Sequence, residues 1–395
     1  MFRYLVALML VVAGPAVAGP GIEIEIVHVT RDEPPATPFS FTEPVPQGEG
    51  LQGARLGLAD DNAGGRFRGQ AYRLREITIP RDAPVAGAPD LAQAIAGPGR
   101  LIVADVETAD LEALLALPGA DQALVFNART TDDRLRRDGC RANLFHTMIS
   151  RAMRADALAQ YLVRQDWKRW FLVVGPGEAD HALADAVRRS AARFGAEIVL
   201  EKPWTYEVGH RRTDSGVSNA REEIRPLTRA DDYDVLIVAD EADDFGEYLP
   251  YRTVLARPVA GTHGLVPVAW SRANEQWGAT QLQRRFEKQA GRPMTARDYA
   301  NWLALRAIAE AVTKAGSADA AGVRAALLDP GFAMAAFKGT PVSFRPWDRQ
   351  MRQPVLLATP RVLVSVAPED GFLHQVTPLD TLGDDAPETA CPQNG

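Results

Sequence analysis

Two groups of acidic residues stand where a site could be built. Asp105, Glu107 and Asp110 follow the apolar run Leu101 to Ala104, and Asp240, Glu241, Asp243, Asp244 and Glu247 follow Val235 to Ala239. Hard cations such as Ca²⁺ take about six to eight oxygen ligands, largely from carboxylates, and a trivalent lanthanide is expected to resemble Ca²⁺ in this respect. Asp105, Glu107, Asp240, Glu241 and Asp243 are therefore candidate ligands for a Ca²⁺ or lanthanide ion, or contacts for a cationic ligand. The spacing is not that of the Asp-x-Asp-x-Asp-Gly calcium loop. A second reading stays open beside the first: acids at these positions cap the helices that follow, and Asp110 and Asp244 fit that role well. Asp105 and Asp240 end their strands directly, which puts them closer to a cleft than a cap requires.

Further candidate ligand contacts are Thr108 and Asn127 at the ends of neighbouring strands, His146 beside Thr147 and Ser150, and His263 after another strand. His146 can serve as a hinge contact or a ligand contact, and His263 as a hydrogen-bonded turn residue or one that faces the cleft. The sequence contains no Gly-x-Ser-x-Gly elbow, no His-Glu-x-x-His pair and no phosphate-binding Walker loop, so no catalytic residue is expected and the chain reads as a non-enzyme. Gly175-Pro176-Gly177 starts like a dinucleotide fingerprint, but its sixth position is Asp180, which leaves a plain strand-to-helix turn.

The elements that must position these residues alternate. Short β-branched runs at Ile22 to Val29, Tyr72 to Ile79, Leu101 to Ala104 and Ala123 to Asn127 are separated by helical spacing at Gly50 to Asp61, Asp90 to Ala96 and Asp110 to Leu117. A second series follows Cys140, with helices at Ser150 to Gln165 and Ala179 to Phe194 and strands at Trp170 to Val174, Glu197 to Glu201, Val235 to Ala239 and Val259 to Gly261. Alternation of this kind implies parallel sheets, and two series imply two doubly wound α/β lobes. Two long helices, Asn274 to Ala290 and Thr295 to Ala315, precede a strand-rich tail from Val342 to Val366 that crosses back between the lobes. The expected organisation is residues 19–147 plus 266–336 for lobe one, 148–265 plus 337–380 for lobe two, and a tail over 381–395. Open α/β sheets bind at the carboxyl ends of their strands, so the interlobe cleft is the expected site. Trp167, Trp170, Phe171, Trp302 and Leu305 are expected in the core, and the Pro-rich loop Thr30 to Gly50, with Phe39 and Phe41, is expected at the surface or along the cleft wall.

Arg3, the apolar run Leu5 to Val12 and Ala16-Val17-Ala18 have the order of a cleaved secretory signal over residues 1–18, which predicts a soluble periplasmic protein. No Cys follows the apolar run, so an N-terminal lipid anchor is not expected. The net charge of −7 argues against nucleic acid as a partner. Cys140 and Cys391 are the only cysteines, and in an exported protein they pair most simply with each other, two free thiols being the alternative.

Gly53-Ala54-Arg55-Leu56-Gly57-Leu58-Ala59-Asp60-Asp61-Asn62, Ser150 to Leu162 with Trp170-Phe171-Leu172-Val173-Val174, and Gly261-Thr262-His263-Gly264-Leu265 resemble the type I periplasmic binding proteins, the leucine/isoleucine/valine-binding-like receptors of ABC importers. The resemblance implies a multi-crossing hinge between two Rossmann-like lobes, an ABC permease and ATPase as partners, and a monomer that captures a small ligand. Cys140-Arg141-Ala142-Asn143-Leu144, Phe337-Lys338-Gly339 with Phe344-Arg345-Pro346-Trp347, and Gly371-Phe372-Leu373-His374-Gln375 are similar to the branch associated with PQQ-dependent alcohol dehydrogenase systems. That placement admits transport, or a ligand- or metal-sensing accessory role in alcohol oxidation. Where the amino-acid receptors carry Ser/Thr-rich loops and a Tyr, this chain has Ala104-Asp105-Val106-Glu107-Thr108 and Gly175-Pro176-Gly177-Glu178-Ala179. Asp105 and Glu107 are expected to repel a ligand carboxylate, and the acids of the two lobes are expected to converge and hold the empty lobes apart.

Overall fold

The computed structural model describes residues 21–34, 45–95, 99–205 and 220–391. The signal segment 1–18, Phe39 and Phe41 lie outside the described residues. Lobe one opens with β1 (Ile22–Arg31), α1 (Leu51–Gly65), β2 (Gln70–Ile79), α2 (Pro89–Ile95), β3 (Leu101–Asp105), α3 (Thr108–Leu115), β4 (Leu124–Asn127) and β5 (Leu144–His146). Its five strands run parallel in the order β2-β1-β3-β4-β5. All five residues of β3 are buried, as an apolar run between two helix-covered faces requires.

Lobe two follows with α4 (Arg151–Arg164), β6 (Arg169–Val174), α5 (Glu178–Phe194), β7 (Glu197–Pro203), α6 (Ala220–Leu227), β8 (Val235–Ala239), α7 (Leu249–Arg252) and β9 (Val259–Gly261). Its parallel order is β7-β6-β8-β9. β10 (Val266–Val268) adjoins this sheet through the Ala260 to Leu265 bridge and pairs with β13 (Val355–Ala358), which pairs with β14 (Leu363–Ala367).

Between β10 and β13 the chain returns to lobe one through α8 (Ala279–Ala290), α9 (Ala296–Ala315), α10 (Ala320–Leu328), β11 (Ser343–Phe344) and β12 (Met351–Arg352). α9 is buried along most of its length and lies against α1 so closely that a Cβ at Gly53 would come within 1.8 Å of the Asp298 carbonyl oxygen. That approach explains why small residues recur along α1. The second return comes later than position 337. Phe337 packs on Trp302, Phe344 packs edge-on against Phe126 and Phe145, and Gln350 bridges to His146, so residues 337–350 lie with lobe one. Phe344 and Met351 continue an apolar surface already begun by β4 and β5, which draws the segment onto that lobe.

Residues 368–391 form a strap along α4 and α5. Asp156, fully buried in α4, accepts hydrogen bonds from Arg189, Arg193, the Ser190 hydroxyl and the Gly383 amide. Arg345 donates to Asp380 and to the carbonyls of Leu379, Leu382 and Asp384. The strap then reaches lobe one, where Arg137 pairs with Asp384 and Cys391 is bonded to Cys140. Trp170, Phe171, Trp302 and Leu305 are core residues, with Trp167 partly buried against them. Among the described residues no helix is long and apolar enough to cross a membrane.

Candidate functional site: a charged interlobe cleft

In both sheets the strand order reverses next to the first strand, between β1 and β3 and between β6 and β8, and the carboxyl ends at such points form a crevice. A cavity of about 590 Å³ opens there, between Glu49, Thr295 and Arg297 of lobe one and Arg154, Glu241 and Pro267 of lobe two. A second, of about 580 Å³, lies between Glu107 and Thr108 on one side and Arg151 and Glu178 on the other.

The local sequence dictates how these side chains arrive. Ser150 caps α4 by accepting from the Met153 amide, so Arg151 and Arg154 lie in the first turns on the cleft side. Thr295 and Asp298 form a reciprocal cap on α9, which sets Arg297 at its second helical position. Both helices therefore point amino-terminal ends at the cleft with arginines on them. That combination runs against the helix dipole and needs an external reason.

Part of the reason is the nearby acids. Arg297 Nε donates to Asp105 Oδ1 at 2.6 Å, and its Nη1 lies 3.9 Å from Glu33 and 3.8 Å from Glu49. Arg129 holds Glu107 at 2.7 Å and Glu33 at 2.6 Å. In lobe two, Glu241 receives Arg154 at 2.5 Å and Arg151 at 3.4 Å. Burial alone would raise the Glu241 carboxyl, but Arg154 and Arg151 together hold it below its ordinary value. Asp105 is fully buried, and its Oδ2 has no hydrogen-bond partner among the described residues. Gly50 covers that oxygen with φ +79°, and a Cβ there would come within 1.9 Å of it.

The remaining candidates have other tasks. Asp240 accepts from the amides of Asp244, Phe245 and Gly246, which is the capping role. His263 bonds Thr262 and Asp243, each at 2.9 Å. Asn127 organises the turn after β4 by accepting from the Arg129 and Thr130 amides, and it bonds His146 Nδ1 at 3.1 Å. His146 is buried in the first crossing, where its amide donates to the Arg349 carbonyl, and it does not line either cavity. Burial, with Arg136 adding to it, pushes its imidazole well below the usual histidine range. Thr108 lines the second cavity and shares a 2.6 Å hydrogen bond with Thr130.

The acids of the two lobes do not gather into one cation site. Among the described residues, the one group close enough to share an ion is Asp240, Asp243 and His263, all in lobe two. Asp240 spends both oxygens on backbone amides and His263 both nitrogens on neighbours, so the set does not fit a Ca²⁺ or lanthanide ion that needs most of its shell from free oxygens. The expected mutual repulsion fails for the same physical reason: Asp105, Glu107 and Glu241 each face an arginine of their own lobe. Sequence reading missed Arg129, Arg151, Arg154 and Arg297, although basic residues in the first turns of α4 and α9 were a readable signal.

Residues 44–210 match the profile of the periplasmic binding protein family. Among solved structures, a periplasmic binding protein from Burkholderia mallei is 16% identical, with 93% of this chain and 98% of that one aligned at a TM-score of 0.64. The chain has the periplasmic-binding-protein type I fold. Other structures with this fold include a branched-chain amino acid ABC transporter periplasmic ligand-binding protein from Burkholderia xenovorans, at 14% identity, 87% and 95% coverage and a TM-score of 0.66. A leucine-, isoleucine-, valine-, threonine- and alanine-binding protein from Brucella ovis, in a closed conformation, matches at 16% identity, 85% and 89% coverage and a TM-score of 0.64. No curated protein sequence matches significantly. At these identities the likeness is one of fold, and the arginines that line this cleft must be read on their own terms.

Proposed function

We propose that this protein is the periplasmic solute-binding component of an ABC importer, a non-catalytic trap that captures a small ligand between its lobes and presents the closed form to a permease and its ATPase. The observation that carries this reading is the cavity of about 590 Å³ at the switch points of both sheets, walled by side chains from each lobe. Three crossings between the lobes, after β5, after β10 and before β13, supply a hinge. The solved structures with this fold support the reading, since several are described as substrate-binding proteins of ABC transporters. A link to PQQ-dependent alcohol oxidation is a finer proposal that rests on the three resembling segments alone. Within the cleft we assign ligand contact to Arg154 and Arg297, with Glu241 holding Arg154 in place and with Glu107 and Thr108 at the second cavity.

The test is X-ray scattering of the purified mature protein, with and without a panel of amino acids, aliphatic acids, alcohols and Ca²⁺, followed by recovery of the ligand. A trap shows a smaller radius of gyration with the active compound, which is recovered unchanged. Chemical conversion of the ligand, or tight binding with no change in radius, overturns the reading.

A further inference from the structure

Cleft arginines usually read as partners for cleft acids, but here the two sides do not balance in hydrogen bonds. A guanidinium carries five N–H donors in a planar fork. Among the described residues Arg154 spends Nη1 on Glu241, Arg151 spends Nη2 on the same carboxylate, and Arg297 spends Nε on Asp105. Arg151 Nε is buried with no acceptor. On the acid side Glu241 has used both oxygens. The lobe-two wall thus carries two guanidinium groups against one carboxylate, with side chains only 13% and 15% exposed. Unspent donors of this kind in a partly dehydrated wall are costly unless an acceptor arrives.

Placement adds to the count. α4 has 14 residues and α9 has 20, long enough to carry a positive amino-terminal end. They come from different lobes, and Arg154 and Arg297 reach the same cavity. Its wall also carries an apolar stretch, from Met148, Ile149 and Pro267 to Ala269, beside the polar Glu49, Thr131 and Thr295. From this juxtaposition we infer that the ligand is an organic carboxylate with an apolar body, its carboxylate received by Arg154 and faced by Arg297 as the lobes close. Planar forks meet carboxylates in paired hydrogen bonds, which gives direction as well as attraction. An ammonium group is not needed, because Glu241 is hydrogen-bonded to two arginines and Glu49, the other acid of the cavity, lies 3.8 Å from Arg297. This inference rests on the ligand-trap reading and names the substrate class for it.

Three probes share one branched aliphatic body: 4-methylpentanoate carries only the carboxylate, 3-methylbutylamine only the ammonium, and leucine both. Titration calorimetry on the mature protein is expected to show 4-methylpentanoate binding at least as tightly as leucine, and the amine on the order of tenfold weaker or worse. Arg154→Gln is expected to weaken carboxylate binding by about tenfold, whereas Glu241→Gln, which frees both guanidiniums, is expected to strengthen it. A purely structural Arg154–Glu241 pair would not produce opposite signs. Equal binding of the amine, leucine tighter than 4-methylpentanoate by tenfold, no binding of any probe, or an unchanged affinity in both variants overturns the inference. Scattering on the same samples separates the two readings. A smaller radius of gyration with the amine or with leucine alone keeps the trap and rejects the carboxylate, while tight carboxylate binding without closure rejects the trap.

Discussion

The cleft and the carboxyl-terminal strap are both built from arginines and carboxylates, yet they are finished differently. Around the strap, Asp380 and the two residues that hold the strap, Arg345 and Asp156, are 0% exposed and make several short hydrogen bonds. In the cleft Arg151, Arg154 and Arg297 keep side-chain exposures of 13%, 15% and 18%, and leave donors unspent beside open space. A saturated network gains nothing from a further partner and holds one geometry. An unsaturated one next to a cavity is where a ligand can contribute binding free energy. The same residue types therefore serve as a fastening in one place and, in the proposed reading, as a receptor in the other, and satisfaction of hydrogen bonds separates them.

That contrast can be broken most severely at the strap. Arg345→Met removes the donor that binds Asp380 and three carbonyls, and loss of one partner of a buried pair costs about 3–5 kcal/mol. Urea denaturation is expected to show that loss, with ligand affinity of the folded fraction unchanged. A loss below about 1 kcal/mol would mean that Arg352, which also holds Asp380 at 2.8 Å, carries the strap by itself.

At the cleft the sharper change is Gly50→Ala. The new methyl group would meet the buried Asp105 carboxylate at 1.9 Å in a backbone of φ +79°, an overpacking cost of about 1–3 kcal/mol. It is expected to displace Asp105 from Arg297 and lower ligand affinity, while hydrogen exchange over residues 368–391 stays as in the parent. Faster exchange in the strap would show that the two regions are coupled and that the contrast is not local.

The smallest effect concerns the hinge between them. The folded-state value of His146 lies well below 6.5, so the folded protein binds its proton less readily than the unfolded chain does. The stabilising contribution is complete above about pH 6.5 and is lost as pH falls below it, by at most about 1.4 kcal/mol per unit for this group. His28, also lowered by burial against the opposing pull of Asp105, acts in the same direction. Denaturation midpoints for the parent and His146→Gln at pH 7.5 and 5.5 measure the share of His146: a smaller drop in the variant is expected, and equal drops assign the acid sensitivity elsewhere.

The sequence alone determined the alternation of elements and the two parallel lobes, because runs such as Leu101 to Ala104 and Val235 to Ala239 are too uniformly apolar to lie anywhere but inside a covered sheet. It also left one possible disulfide, since only two cysteines exist, and the structure decided between the Cys140 to Cys391 bond and two free thiols. The return point and the sign of the cleft were decided only in three dimensions. Phe344 joins lobe one because Phe126 and Phe145 leave it an apolar surface there, which no pattern within 337–350 announces. Asp105 looked like a free acid because Arg297 stands 192 positions away in the chain, and Glu241 because Arg151 stands 90 away. Coulomb energies depend on separation in space and on local solvation, so a charge read along the chain has no settled partner until the fold supplies one.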